Sequence, residues 1–223
     1  RPTITFATAT TADIDIDAAN ITFENFIFDL TGIDAVAAAL DVNSADFTLR
    51  NCYVLMADSG GQATNAITTA TAASRMIVED CVFESPNAGA DSAILIEGTP
   101  DGIIIRRNII TGDFAVGALA NAAANVATNV RIYDNVLRND NNTQEAVDFD
   151  SAVTGFFNNN VLITDAIATA GDFGSMTNAG NWVSDDGDVD AAAVPFPETA
   201  VTGGSTLSGI FDTLLVPSAD ATT

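Results

Sequence analysis

The sequence predicts an all-β fold, a single-stranded parallel β-helix (solenoid) of about seven coils, on three observations. A short pattern of alternating apolar residues recurs along the chain, equivalent positions lie 21–29 residues apart, and turn residues separate the copies. The 223 residues are 48% hydrophobic and only 17% charged, which supports a sizeable core and excludes a disordered chain. We therefore predict a β-helix over residues 1–183 and a C-terminal acidic linker and cap, or subunit-contact tail, over residues 184–223.

The repeated element follows the order apolar, any, apolar, any, polar, ladder residue, any, apolar. Its first copy is residues 21–28, ITFENFIF, and further copies begin at residues 47, 76, 103, 130 and 155, with a degenerate copy near the end. Alternation of apolar residues is typical of strands with one buried face, so equivalent side chains of successive coils should stack inward. The sixth position, here called the ladder position, is occupied by Phe26, Cys52, Cys81, Asn108, Asn135, Asn160 and Asn181.

Repeats made only of short strands and turns cannot enclose a core alone, but they stack as coils of a solenoid. A second strand is predicted before several copies, over residues 37–42, 93–97 and 146–149. Helical repeats are excluded because the helical period is missing even from the alanine-rich residues 118–127. The general handedness of parallel crossovers predicts right-handed coils.

Charged residues provide a test of the predicted register. The outward position two residues before the ladder is occupied in turn by Glu24, Arg50, Glu79 and Arg106. Coils lie about 4.8 Å apart, so this order places carboxylates next to guanidinium groups, which cross-strand pairing favours. The sequence therefore predicts an outer ladder of ion pairs.

These features resemble the right-handed parallel β-helix superfamily, which includes pectate lyases and phage tailspikes, over residues 4–183. Residues 3–40, rich in Ala, Thr and Asp, more narrowly resemble β-helical structural proteins of tailed bacteriophages of marine type. That resemblance implies a further segment before Arg1 and a non-catalytic virion protein on the particle surface. It would be a capsid-decorating, head-fibre or tail-fibre subunit, a homotrimer that also contacts other virion proteins.

The net charge of −23, from 30 acidic and 7 basic residues, disfavours binding to nucleic acid or to anionic membranes. The chain has no His and no Lys, which excludes Ser-His triads, Schiff bases and His-bearing metal sites. The alternative taken from the superfamily is a polysaccharide lyase or glycoside hydrolase that uses Arg106 and Arg107 with Asp80 and Asp134. A glycan-binding adhesin without catalysis is the third alternative.

Acidic clusters raise the alternative of a calcium site. Asp13, Asp15 and Asp17 alternate with isoleucines and should share one outward face, but carboxylates two residues apart on a strand are separated by about 7 Å. Calcium prefers six to eight converging oxygens, so we predict a solvated acidic face and no cofactor. The same holds for Asp148 and Asp150. The run at residues 185–190 lacks the terminal Glu of a calcium loop before Glu198 and is interpreted as an acidic linker.

Cys52 and Cys81 occupy the ladder position on neighbouring coils, which leaves a disulfide open as an alternative. We predict two free thiols that fill core volume, because parallel side chains in a stack seldom have disulfide geometry. The tail contains an apolar segment that either caps the last coil or contacts another subunit. The residues predicted for the subunit contact are Ile210, Phe211, Leu214, Leu215 and Val216.

Overall fold

The structure is a computed structural model that describes residues 1–7, 11–33, 36–56, 63–122, 125–141, 143–149, 152–164 and 171–185. The first eleven strands are β1 (Thr3–Thr5), β2 (Ile14–Ile16), β3 (Thr22–Glu24), β4 (Ile27–Asp29), β5 (Val36–Val42), β6 (Thr48–Arg50), β7 (Tyr53–Leu55), β8 (Ala63–Thr69), β9 (Ile77–Glu79), β10 (Val82–Ala90) and β11 (Ser92–Ile96). The other eleven are β12 (Ile104–Arg106), β13 (Ile109–Phe114), β14 (Leu119–Asn121), β15 (Val130–Tyr133), β16 (Val136–Asn139), β17 (Val147–Phe149), β18 (Gly155–Asn158), β19 (Val161–Thr164), β20 (Gly171–Asp172), β21 (Thr177–Ala179) and β22 (Trp182–Asp185). Within the described ranges no helix is long and apolar enough to cross a membrane.

The strands form three parallel sheets that run the length of a solenoid. Sheet A has the order β1-β4-β7-β10-β13-β16-β19-β22, sheet B the order β2-β5-β8-β11-β14-β17-β20, and sheet C the order β3-β6-β9-β12-β15-β18-β21. Each coil contributes one strand to sheet B, then one to C and one to A, so seven strand triplets stack in six steps, which makes about six full turns. The predicted all-β solenoid of parallel strands is confirmed.

The repeat pattern corresponds to two of the three sheets. Positions two to four of each copy lie in the strand of sheet C, and positions seven and eight begin the strand of sheet A. The strand predicted before three of the copies belongs to sheet B, which has a strand in every coil. The alanine-rich residues 118–127 contain β14 rather than a helix.

Apolar inward columns fill the space between the sheets. Phe28, Val54, Phe83 and Ile110 stack in register on the inner side of sheet A, each at most 1% exposed. Phe23 and Phe26, on the first coil, are half-buried and pack against this core. At the other end β21 is exposed along its whole length, so the core is densest in the middle coils.

A residue in the left-handed backbone conformation forms the corner between sheets C and A in every coil. The residue before each ladder position has a φ between 51° and 67°, and the positions are Asn25, Asn51, Asp80, Arg107, Asp134, Asn159 and Gly180. Asn and Asp tolerate this conformation because their short side chains make local hydrogen bonds. At Gly180 an added Cβ would lie 2.4 Å from Oδ1 of Asn159, so a larger residue at this corner would displace the Asn159 side chain.

The C-terminal tail lies outside the described residues, and with it the predicted contact segment Ile210–Val216. The last described strand, β22, belongs to sheet A and continues to Asp185, two residues beyond the predicted end of the β-helix. Residues 186–223 therefore follow directly from the edge strand of sheet A.

Candidate functional site

The ladder residues form one inward column beside the left-handed corner. Nδ2 of Asn108, Asn135 and Asn160 donates to Oδ1 of the next ladder asparagine at 3.0, 2.9 and 3.1 Å. The same Oδ1 atoms also accept the backbone N–H of the preceding ladder residue at 2.9–3.0 Å. Each ladder amide, including that of Asn181, donates in addition to a carbonyl of the preceding coil. These amides are at most 5% exposed and hydrogen-bonded through both oxygen and nitrogen, so they stabilise the coil stack.

The thiols continue the same column with weaker contacts. Sγ of Cys52 and of Cys81 each lies 3.7 Å from a carbonyl oxygen of the preceding coil, where the asparagines donate at 2.8–3.1 Å. The backbone N–H of Cys81 donates to Oδ1 of Asn108 at 2.9 Å, which joins the two parts of the column. Both cysteines are buried free thiols. The hydrogen bond with Cys52, together with burial, raises the pKa of the Cys81 thiol.

The charged residues before the ladder stack on the outer side of sheet C. Glu24, Arg50, Glu79 and Arg106 are cross-strand neighbours in this order. The ion pairs join the first two residues at 2.9 Å and the last two at 2.7 Å. Arg106 also donates to the hydroxyl of Tyr133 at 2.8 Å on the next coil. The outer ladder therefore consists of two ion pairs, and a hydrogen bond from Arg106 extends it to Tyr133 on the next coil.

A second ladder lies beside the first, along the left-handed corner. Arg107 binds Asp80 through two hydrogen bonds of 2.8 Å and reaches Glu79 at 3.1 Å. At the left-handed corner before sheet C, Arg75 binds Asp46 in the same two-bond manner at 2.7 and 2.6 Å. The adjacent arginines therefore have different main partners, Glu79 for Arg106 on sheet C and Asp80 for Arg107 at the corner.

The residues of the enzymatic alternative are only partly brought together. Asp80 contacts Arg107, but Asp134 is exposed and takes part in none of the ion pairs that the described residues form. The bond to Asp80 raises the pKa of Arg107, and bonds to Tyr133 and Glu79 raise that of Arg106. A general base needs a pKa near the working pH, whereas these contacts hold both guanidinium groups in the charged form.

The acidic residues in and next to β2, the first strand of sheet B, are Asp13, Asp15 and Asp17. Asp15 is exposed and in register with Asp41, and repulsion from Asp13, with smaller contributions from burial, Asp17 and Asp41, raises the pKa of its carboxyl. In the described part of the chain no group of three or more Cys, Asp or Glu side chains is arranged to hold a metal ion. Asp150 and the acidic residues 186–190 lie outside the described residues.

A groove opens on sheet B and has a volume of about 520 Å³. Its polar lining includes Asp13 just before β2, Asp41 from β5, Asn65 and Thr68 from β8, and Glu97 after β11. The strands β5 and β8 are each seven residues long, whereas most strands of sheet C have three. The groove therefore lies where the coils depart most from the regular repeat.

Sheet A carries an apolar column on its outer face, at the seventh position of the repeat. We call it the outward column of sheet A, and its residues are Ile27, Tyr53, Val82, Ile109, Val136, Val161 and Trp182. Val161 and Ile163 are only 7% and 2% exposed although they face outward, and with Val136 and Trp182 they form a cluster separate from the core. Burial, and a bond from its hydroxyl to Glu84, raise the pKa of Tyr53 to about 12.

Sequence reasoning missed both the outward column of sheet A and the groove. The column had a signal, since an apolar residue stands at the seventh position of all seven copies, where the pattern allowed any residue. The groove had none, because Asn65 and Thr68 in sheet B, and Glu97 directly after β11, lie outside the repeated element.

Comparisons of the chain with protein-family models, with curated proteins and with solved structures found no match.

Proposed function

We propose that this chain is a non-catalytic structural subunit of a bacteriophage virion, displayed on the particle surface as a capsid-decorating, head-fibre or tail-fibre component. The virion setting rests on the resemblance of residues 3–40 to phage structural proteins. The assembling role rests on one observation, the outward column of sheet A.

This column is a continuous apolar stripe on the outside of a strongly acidic protein. Six steps of about 4.8 Å give it a length of about 29 Å. The corresponding outward column of sheet C is interrupted by polar residues, and its members are Thr22, Thr48, Ile77, Ile104, Arg131, Phe156 and Thr177. An apolar stripe on only one of two comparable faces favours association through that face.

The occupant that we propose for the column is a neighbouring copy of the same chain, through its segment Ile210–Val216. Residues 186–223 start from β22, the edge strand of sheet A, and they contain apolar residues at 210–211 and 214–216. Closed symmetric homo-oligomers are the usual outcome of such self-association. A threefold arrangement is favoured by the resemblance to β-helical phage proteins.

The arginine contacts give less support to a lyase or hydrolase. Arg106 and Arg107 are engaged by Glu79, Asp80 and Tyr133, and their pKa values are raised rather than lowered. We expect no new reducing ends and no unsaturated products when the protein is incubated with uronate-containing or host-surface polysaccharides, with or without calcium. Turnover in this assay would replace the structural proposal with the enzymatic one.

The assembling role is tested by a matched pair of substitutions. Ile109 lies in the outward column of sheet A and Ile104 in that of sheet C, and both are half-buried. By light scattering at near-marine salt, we expect Ile109→Glu to shift the native mass of the oligomer to that of a monomer, while Ile104→Glu leaves it unchanged. A monomeric unsubstituted chain at high concentration would contradict the proposal and favour the tail as an intramolecular cap.

The virion setting is tested by imaging. Antibodies against the chain should label intact particles purified from the native source. Detection of the protein free in culture fluid, with no labelled particles, would contradict it.

A further inference from the structure

The groove on sheet B presents hydrogen-bond acceptors almost exclusively. Asp13, Asp41 and Glu97 contribute three carboxylates, and none of the described lining residues carries a positive charge. The hydroxyl of Thr68 donates to Oδ1 of Asp41 at 3.0 Å, so this donor is already used. A ligand that enters the groove therefore meets negative charge and free acceptor positions.

Asn65 is a second and independent observation at this groove. The residue lines the groove and is 4% exposed. Nδ2 donates to the carbonyl of Ala37 at 3.2 Å, which fixes the amide orientation, while the buried Oδ1 has no hydrogen-bond partner among the described residues. A buried amide oxygen without a partner is rare in folded proteins, and it indicates a position that a donor group completes.

The lining narrows the chemistry of the ligand. The acidic side chains do not converge as metal ligands, since the described residues contain no group of three or more Asp, Glu or Cys suited to a metal ion. Anionic ligands are repelled by the carboxylates. Among its described residues the apolar part of the lining includes Leu95 and no aromatic side chain, so these residues offer no platform for a sugar ring. A volume of about 520 Å³ is in the range of small-molecule sites.

We propose that the groove binds an organic cation that carries several N–H donors, an ammonium or guanidinium group. The carboxylates of Asp41 and Glu97 pair with the charge of the ligand, and one N–H is donated to Oδ1 of Asn65. Guanidinium groups match such an arrangement best, because their donors have a fixed planar geometry. This site is independent of the outward column of sheet A, which lies on a different sheet.

The first experiment measures binding to the full chain at about 150 mM salt, where non-specific attraction to an acidic surface is weak. Agmatine is the probe, and tetramethylammonium, which has the charge but no N–H group, is its control. We expect saturable 1:1 binding of agmatine by calorimetry and no saturable binding of tetramethylammonium. Equal binding of both cations, or saturable binding of Ca²⁺ with none of agmatine, would overturn the proposal.

Substitutions then locate the site. Asn65→Leu leaves the net charge unchanged, and we expect agmatine to bind at least tenfold more weakly. Asp41→Asn should weaken binding at least fivefold, whereas Asp134→Asn, which removes the same charge on the far corner, should change it less than twofold. Equal losses for Asp41→Asn and Asp134→Asn would show non-specific attraction and overturn the site.

A further variant and a further probe complete the test. If Asn65→Leu lowers the melting temperature strongly, Glu97→Gln replaces it, because Glu97 is exposed and its substitution leaves the core intact. We expect agmatine to bind the Glu97→Gln variant at least fivefold more weakly, and an unchanged affinity would overturn the site. A capped peptide with a single arginine distinguishes the two sources of the group: tighter binding than agmatine indicates a protein side chain, and weaker binding a free amine.

Discussion

The inward ladder and the outer ladder of sheet C lie two residues apart in each coil, yet they contribute to stability in different ways. The ladder asparagines are at most 5% exposed and bonded at 2.9–3.1 Å. In the outer ladder the side chains of Arg50 and Glu24 are 46% and 43% exposed. The coil register aligns both columns equally, but water competes only with the outer one. Register therefore decides which residues meet, and burial decides how much each contact contributes.

The largest change in the free energy of unfolding is expected from a substitution in the buried asparagine ladder. Asn135→Leu removes the acceptor of the backbone N–H and of Nδ2 of Asn108, and leaves the carbonyl of Ile105 without its amide donor. We expect the free energy of unfolding to fall by on the order of 1–3 kcal/mol, measured by chemical denaturation, with little dependence on salt.

The matched control is Asn178→Leu, the same substitution at an exposed position of β21, with an expected change within about 0.5 kcal/mol. Similar losses at the two positions would show that the buried ladder contributes nothing beyond what an exposed asparagine does.

An intermediate effect should separate the thiol part of the ladder from the amide part. Cys81→Ala removes a buried side chain and should lower the free energy of unfolding by about 1 kcal/mol. Cys81→Asn should recover most of this loss, because the new amide is placed to accept the N–H of Cys52 and to donate to the carbonyl of Leu49, as the sulfur now does weakly. Equilibrium denaturation of both variants provides the comparison. If Cys81→Asn is the less stable of the two, the column at this coil is shaped for sulfur and not for an amide.

The smallest effect is expected on the outer surface. Arg107 lowers the pKa of Asp80, so the ionised carboxyl stabilises the fold above its unfolded pKa of 3.8, and this contribution is lost as the pH falls through the lower folded pKa. We expect Asp80→Asn to lower the free energy of unfolding at pH 7 by about 0.5 kcal/mol. In thermal melts the difference should vanish in 1 M salt and near pH 2.

Asp15→Asn is the control, because it makes the same change in charge but should change the stability in the opposite direction. Repulsion from Asp13, with smaller contributions from burial, Asp17 and Asp41, raises the pKa of Asp15. The carboxyl therefore favours folding below its unfolded pKa, and that contribution is lost as the pH rises through the raised folded pKa. Asp15→Asn should raise the melting temperature at pH 7 and low salt. A decrease in melting temperature of the same size as for Asp80→Asn would mean that neighbouring charges do not decide how a surface carboxylate affects stability.

Much of the fold and part of the candidate sites could be predicted from the repeat. Because equivalent positions of parallel coils stack, the order Glu24, Arg50, Glu79, Arg106 was sufficient to predict which charges become neighbours. It was not sufficient to predict the pairs, since Glu79 binds Arg106 and Arg107 while Arg50 binds Glu24. A long side chain can reach the neighbour on either adjacent coil, and local geometry decides which of the two it binds. The order of residues carries no information about that geometry.

The sequence by itself determined the solenoid, its register and the inward column from Asn108 to Asn181, because a period of 21–29 residues with alternating apolar positions allows only one way of stacking. Only the tertiary structure decided that Asn65, bonded to the carbonyl of Ala37, lines the same groove as Asp41 and Glu97. The strands of sheet B differ in length from coil to coil, from two residues in β20 to seven in β5 and β8. A cavity formed by such irregular coils depends on how their backbones pack in space, and no periodic pattern in the sequence records that.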